Sequence, residues 1–515
     1  MADPVVEEKV ELPSNSITAP TTNELPSSSN TAPMGKKSAS FWLSFLALCF
    51  MVFIVSIDST GLAVALPVIA RQLSSTTLES FWANIAFTLA VVVVQPVYTS
   101  TSDVLGRKIP LYTAFVLFSV GSLVFALAPT MPIVILGRTI QGFGGSGLDV
   151  LNEIIVADIT TMKERPFYLG LTGIPLAAGM LLGPILGALL AQYVSWRWIG
   201  YINLPLTFTG FLLVFFFLHL RPLEGTFLSK IQRLDLTGMG LFTIGCTTFV
   251  LPLSWAGSMY AWNSWRTLLP LILGILVLIV FVLYERKPEN PVLPHRLFRS
   301  VTAVTTLFGA FIHGVVVYNL NTYLALSYQA ILLQTPIKPA VTLLPMNVVS
   351  LVSIFLYPGA VQHFRKYLPS MWMAWVSLAV GTGLLYLIGP NSSAAVYTGL
   401  TTVLALGYGG LFTVISIPMQ ASVPNVDDTG LAVGLLVFVR LSGGLIGLAL
   451  GSTIFSTVFG NSIASFGPLP SSLAVLKDSS EAVSFIPKIR ELKSSLSPGD
   501  LSKILSIYSK SLHTI

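Results

Sequence analysis

Long apolar runs alternate with short polar connectors along almost the whole chain. Thirteen such runs lie at about 41–66, 78–100, 110–129, 131–156, 167–192, 199–219, 236–254, 266–284, 301–326, 339–361, 370–389, 395–418 and 430–458. Each approaches or exceeds the roughly 20 residues that a helix rising 1.5 Å per residue needs to cross a bilayer. The pattern therefore predicts thirteen membrane-spanning helices. Residues 1–40 depart from it: five prolines and many Ser, Thr and Asn leave too little apolar surface to offset the entropy of ordering, so a disordered cytoplasmic tail is expected. No cleavable signal peptide is visible, because the first apolar run, beginning at Phe41, already has the length of a span. Residues 459–515 are more polar and read as an extracytoplasmic segment, with an amphipathic helix after Ser497-Pro498-Gly499-Asp500.

Composition strengthens this reading. Of 515 residues 53% are hydrophobic and only 10% charged, against roughly 25% charged in an ordinary globular protein. With a mean hydropathy of +0.79, the chain is an all-α polytopic membrane protein. The net charge of +6 does not point to nucleic acid, because the basic residues are scattered through short connectors and form no basic face. They report orientation instead. With the N-terminus inside, the tail and inner loops hold sixteen Lys and Arg, while the outer loops hold only Arg71, Arg197, Arg266 and Lys338. The sequon at Asn391 then falls in an outer loop as a glycosylation candidate. Cys49 and Cys246 lie inside apolar runs, where a thiol behaves as a small hydrophobe.

Charges within the spans are expensive and mark function by default: even on a lenient scale an ionised side chain at mid-bilayer costs roughly 2.5–3.5 kcal/mol. On the fourth run, at about 100° per residue, Arg138, Gln141, Gly142, Gly145, Asp149, Asn152 and Glu153 share one helix face. Such a stripe is expected to line a wet path, since lipid would strand every one of these groups. Asp58 and Arg138 sit at matching depths, each about 8 Å outward of mid-span, so both are expected to face one cavity. There Arg138 would hold the charge on Asp58, or on Asp149, until substrate or a proton displaces it; a static ion pair that only fixes packing is the plain alternative. The ninth run adds His313, Tyr318, Asn319, Asn321, Tyr323, Tyr328 and Gln329, rings and amides that suit an amphipathic organic ligand. His313 and Asn319 are candidate cavity residues, although a lone histidine is more often a hydrogen-bonded structural group.

The second connector, TSTSDVLGRKIPLYTAF, has a use for each of its parts. Asp103 and Arg107 are four apart and able to pair at a helix end, Gly106 permits a tight turn, and Arg107 with Lys108 holds the cytoplasmic face. A merely topogenic basic loop is the alternative. The connector after the tenth run, QHFRKYLPSMWM, echoes it with Arg-Lys and then Pro, as in transporters built from repeated bundles that rock about a central site. Glycines four apart at Gly179, Gly183 and Gly187, and at Gly443, Gly447 and Gly451, are expected to bring helices close together, and Pro184 to loosen the backbone. Gly142-x-Gly144-x-x-Gly147 matches a dinucleotide fingerprint in letters only, since it lies inside an apolar span.

D-x-x-G-R-K between the second and third runs resembles the signature loop of the major facilitator superfamily. Ile57-Asp58-Ser59-Thr60 with Ala65-Leu66-Pro67, Gly137-Arg138-Thr139-Ile140-Gln141-Gly142, the Gly173 to Gly187 stretch, SWRWIGYINLP and PVLPHRLF resemble its fourteen-helix drug:proton antiporter branch. Arg440 beside Gly443 and Gly444 matches a further position typical of that branch. The resemblance implies two six-helix bundles, at 41–219 and 301–458, with an inserted helix pair at 236–284. It implies a gating loop at Asp103, Gly106, Arg107 and Lys108, and a packing motif at Gly173, Gly179, Gly183, Pro184 and Gly187 that is associated with exporters. That branch places a fourteenth helix after a long outer segment. Here thirteen spans are visible and the fourteenth is missing, so the C-terminal bundle is expected to be incomplete.

The expected activity is proton-coupled efflux of a small organic molecule, a drug, toxin or secondary metabolite, by a monomer in the plasma membrane, a vacuolar membrane being the alternative. A proton symporter importing a nutrient or iron chelate keeps the same fold. An integral membrane enzyme or receptor is a remote rival, because the five histidines show no paired metal spacing. No cofactor is expected: no G-x-x-x-x-G-K-[ST] loop exists to bind a nucleotide, and the proton gradient supplies the energy.

Overall fold

The computed structural model describes residues 37–160, 165–218, 235–256, 260–288, 295–389, 392–423, 429–467, 470–493 and 495–515. The tail up to residue 36, the inner-loop residues Lys163, Arg221, Lys230 and Arg233, residues 291–294 of the PVLPHRLF motif and the sequon residue Asn391 lie outside these. The described residues are helical almost throughout, as expected of lipid-embedded backbone, which must satisfy its hydrogen bonds within each segment.

The spans are α1 (Ala39–Gln72), α2 (Thr77–Leu105), α3 (Lys108–Leu127), α4 (Met131–Ile159), α5 (Arg165–Leu189) and α6 (Asn203–Phe217). An inserted pair follows, α7 (Leu236–Trp255) and α8 (Trp265–Tyr284). The remaining spans are α9 (Val301–Ala330), α10 (Leu344–Phe364), α11 (Leu368–Leu384), α12 (Ala394–Val414) and α13 (Thr429–Ala464). Two short helices, α14 (Ile486–Leu492) and α15 (Pro498–His513), end the chain. Twelve helices among the described residues are long and apolar enough to cross a membrane. The one expected span not among them is α4, which carries Arg138, Asp149, Glu153 and Asp158 in its 29 residues. Several helices outrun their apolar cores: α1, at 34 residues, is about 51 Å long, so its ends project beyond a roughly 30 Å hydrocarbon layer.

Helix ends are called inner and outer here on the charge assignment. The connector after α2 turns on Gly106, at φ +89°, and its echo after α10 turns on Arg365, at φ +55°. The positive φ falls just before the Arg-Lys pair in the first connector and on its arginine in the second. The repetition extends to packing: α3 lies on α4 and α11 on α12, while α5 grips α1 and α13 grips α9 through the two glycine lines. The inserted α7 packs against α2 and α13, with Thr453 Oγ1 donating to the Leu253 carbonyl at 2.8 Å. Its partner α8 turns Leu269, Ile272, Leu276 and Ile279 outward, a face suited to lipid.

Candidate functional site

Asp58 is the centre of a closed polar network. Its Oδ2 accepts from Arg138 Nη1 at 2.5 Å, and its Oδ1 accepts from Gln141 Nε2 at 2.8 Å and Asn203 Nδ2 at 2.7 Å. Arg138 Nη1 also donates to Gln141 Oε1 at 2.7 Å, Arg138 Nε donates to the Ala83 carbonyl at 3.3 Å, and the guanidinium lies 4.2 Å from the Phe87 ring centroid. Gln141 Nε2 reaches Ser122 Oγ at 2.9 Å. Residues of α1, α2, α3, α4 and α6 therefore converge on one carboxylate, and its charge is balanced by a cation and two amide donors. The matched depth of Asp58 and Arg138 is realised as direct contact. Neither lines an opening in this conformation, however, because both side chains are 1% exposed. Sequence reasoning missed Asn203 and Ser122. The only signal for Asn203 was its place inside the SWRWIGYINLP motif.

The polar stripe of α4 is divided. Its outer members, Arg138 and Gln141, are sealed in the network; its inner members, Asp149 and Glu153, are half-buried. Glu153 lies within electrostatic reach of Asp149 and of Arg440 on α13, and Tyr318 on α9 within reach of Asp149 and Arg440. The first six spans thus present two carboxyls, and the last five spans a guanidinium and a phenol, across their common boundary. Arg440 Nη2 donates to the Phe412 carbonyl at 3.1 Å and stands over the Phe412 ring, but its Nε and the Asn152 Oδ1 are buried without a protein partner.

His313 and Asn319 lie among the last five spans, each with one polar atom bonded to backbone and one, His313 Nδ1 and Asn319 Oδ1, buried without a protein partner. His313 is fully buried, with Nε2 3.1 Å from the Tyr408 carbonyl and its ring edge-on to Phe412. Asn319 is half-buried against the glycine line of α13 and donates to the Val315 carbonyl at 3.0 Å. Two clefts lie nearby, one between α1 and α5 on one side and α9 and α10 on the other, and one between α5, α10 and α12. The first is narrow and is lined by Thr60, Met180, Pro184, Asn321 and Asn347 among others. The second, also narrow, shares Met180 and Asn347 and reaches Tyr408 and Phe412. Neither is lined by a charged side chain.

The glycine line of α5 packs on α1 as expected at three positions. A Cβ on Gly179 would collide with Ser56, one on Gly183 with Thr60, and one on Gly187 with the Gly61 carbonyl. Gly173 is a correction: nothing lies within 4 Å of where its Cβ would be, so it makes no close approach. It sits nearer the inner end of α5, between the glycine line and Tyr168, whose ring packs on Phe41 and Phe45 of α1. Gly142, Gly144 and Gly147 press α4 against α2 and α3, in keeping with a packing role and not a nucleotide one.

At the inner loop, Gly106 closes α2 with its N–H donating to Ser102 at 3.1 Å, and Lys108 opens α3. Arg107 Nε donates to Asp158 Oδ2 at 3.0 Å and Nη1 to Ser102 Oγ at 2.9 Å, tying the loop to the inner end of α4. Asp158 was not foreseen. Asp103 is in the last turn of α2, and its side chain lies outside what the structure describes.

The family model described as the Major Facilitator Superfamily matches residues 48–448, most of the chain. The chain belongs to the Major Facilitator Superfamily. Among similar proteins is the MFS-type transporter sphD of Aspergillus fumigatus, 48% identical over 93% of this chain and 83% of that one. Another is the efflux pump FUS6 of Gibberella moniliformis, 31% identical over 87% and 80% of the two chains. Among solved structures, a bacterial homologue of the lysosomal transporter Spinster shares the fold, with a TM-score of 0.60, 17% identity and coverage of 93% and 95%. This member of the superfamily is accordingly a multi-pass membrane transporter.

Proposed function

We propose that this transporter exports a small organic molecule in exchange for entering protons by alternating access, from a place in the plasma membrane. The observation that carries this reading is the inner half of the α4 stripe. Asp149 and Glu153 are one helical turn apart and half-buried, and Glu153 lies within electrostatic reach of Arg440 across the boundary between the two sets of spans. Two neighbouring carboxylates at this depth are costly unless a proton or a counter-charge offsets them, so proton arrival and departure can be coupled to how closely Arg440 approaches. The partnerless Arg440 Nε and Asn152 Oδ1 leave hydrogen-bonding capacity at the same place. The uncharged clefts beside it, walled by Met180, Asn321, Asn347 and Tyr408, would hold the apolar body of the cargo. The direction rests on resemblance to FUS6 and other relatives named efflux pumps.

The test uses inside-out vesicles without membrane potential and a dye that the expressed protein clears from pump-deficient yeast. An acidic lumen should drive dye accumulation if the protein is an exporting antiporter. Accumulation with an alkaline lumen instead would make it an importing symporter. Indifference to the gradient would remove the proton from the mechanism.

A further inference from the structure

The segment after α13 folds back across the outer ends of both sets of spans. Leu473, Leu476, Val483, Ile489, Ile504 and Tyr508 are buried in an apolar core continuous with Phe81 of α2 and Phe455 and Phe459 of α13. Tyr508 ties the fold-back together, donating to the Ala482 carbonyl at 2.6 Å while its ring lies 4.9 Å from that of Phe459. On the side of the last five spans the hold is extensive. Besides Phe459, Arg490 Nη1 donates to the Gln334 carbonyl at 3.4 Å, and the His513 ring lies 5.5 Å from that of Tyr386. On the side of the first six spans two polar ties stand out. The Val483 N–H donates to Thr77 Oγ1 at 3.1 Å, and Arg71, at the end of α1, makes a two-pronged ion pair with Glu491, at 2.6 and 3.2 Å.

Beneath this cover the outer ends of the two sets of spans are closed on each other. Gln329 Nε2 donates to the Val64 carbonyl at 3.1 Å, Phe81 packs on Tyr323 and Phe455, and the Ile337 N–H donates to Gln192 Oε1 at 3.3 Å. Any opening to the outside must part these contacts, and a cover fastened to both sides must then release one of them. The weaker fastening is the exposed pair: the side chains of Arg71 and Glu491 are 46% and 52% accessible, so water competes for both partners.

We propose that residues 470–493 and 495–515 form an outer lid that travels with the last five spans and is latched to the first six through Arg71 and Glu491. The lid rests on alternating access but not on the direction of transport or its coupling to protons.

The experiment places a single cysteine at Val64, behind the outer seal, in a chain with Cys49 and Cys246 replaced by Ala. Labelling by a membrane-impermeant maleimide is followed in right-side-out proteoliposomes. Arg71→Glu or Glu491→Arg sets like charges against each other at the latch and should speed labelling at least threefold; the double reversal, Arg71→Glu with Glu491→Arg, should return it to the parent rate. Equal labelling of all four forms, whether fast or absent, overturns the lid. In the chain carrying Arg71→Cys and Glu491→Cys, with Val64 retained, a reducible bifunctional thiol cross-linker should abolish dye transport until reductant is added. Full transport by the cross-linked form also overturns it. Labelling needs no substrate, so a protein that labels as expected but ignores a pH gradient retains the lid and refutes the proton exchange.

Discussion

Arg138 reaches from α4 to Asp58 on α1, Nη1 to Oδ2 at 2.5 Å, with both side chains 1% exposed. A buried pair of this kind is weak evidence for net stability, yet breaking it from one side is costly, typically about 3–5 kcal/mol, because the remaining charge is stranded. Arg138→Ala should therefore lower the melting temperature in detergent sharply. Asp58→Asn, which keeps one acceptor, should do so less, and the doubly neutral Asp58→Asn with Arg138→Gln should recover much of the loss. If Arg138→Ala melts like the parent, the pair is not what fixes α1 to α4.

The two ends of the α5 glycine line make a second contrast. Gly187→Ala drives a methyl against the Gly61 carbonyl, which as backbone cannot yield alone, whereas Gly173→Ala meets open space. Overpacking of this sort costs about 1–3 kcal/mol. Gly187→Ala should reduce the monodisperse fraction on size-exclusion chromatography and lower the melting temperature, and Gly173→Ala should leave both unchanged. Equal behaviour of the two variants would mean that α1 and α5 separate freely.

Exchange of dye without a gradient separates proton coupling from substrate binding. Glu153→Gln and Asp149→Asn keep the shape of the α4 face but remove a titratable group each. Each should cut gradient-driven accumulation at least tenfold while equilibrium exchange persists. Loss of both activities together would assign these carboxyls to the substrate and not to the proton.

The thirteen apolar runs were legible in the sequence because in lipid one periodic element, long enough to span, is almost the only solution for the backbone. The α4 stripe was legible for the same reason, since a helical wheel needs no tertiary knowledge. Its division was not. Whether Arg138 meets water or a carboxylate depends on α1 and α6, and nothing local to α4 says that Asn203, 65 residues on in the numbering, will supply the third donor to Asp58. His313 shows a further limit: nothing local to α9 says that the Tyr408 carbonyl will stand beside its Nε2 while its Nδ1 is left without a protein partner. Of the outer fold-back only the amphipathic helix was legible; its docking was hidden because the hydrophobic residues are spread through a polar segment and acquire a core only on meeting α2 and α13.

Acidification should loosen the end of that fold-back through His513. Burial lowers the pKa of its imidazole from 6.5, and a hydrogen bond with the Ile388 backbone only partly opposes the shift. The docked ring therefore binds fewer protons than a free one between the lowered value and 6.5, so docking is strongest above that window and weakens as pH falls through it. Glu491 does not contribute over the same range. The hydrogen bond and charge of Arg71 hold its carboxyl below 4.5, so its share is present above 4.5 and is lost only as pH falls through the lowered value. Between pH 7.5 and 5.5, hydrogen exchange along α15, corrected for the intrinsic rate, should rise in the parent and stay flat in His513→Asn. A parent whose α15 protection is the same at both pH values would show that His513 is not a sensor of docking.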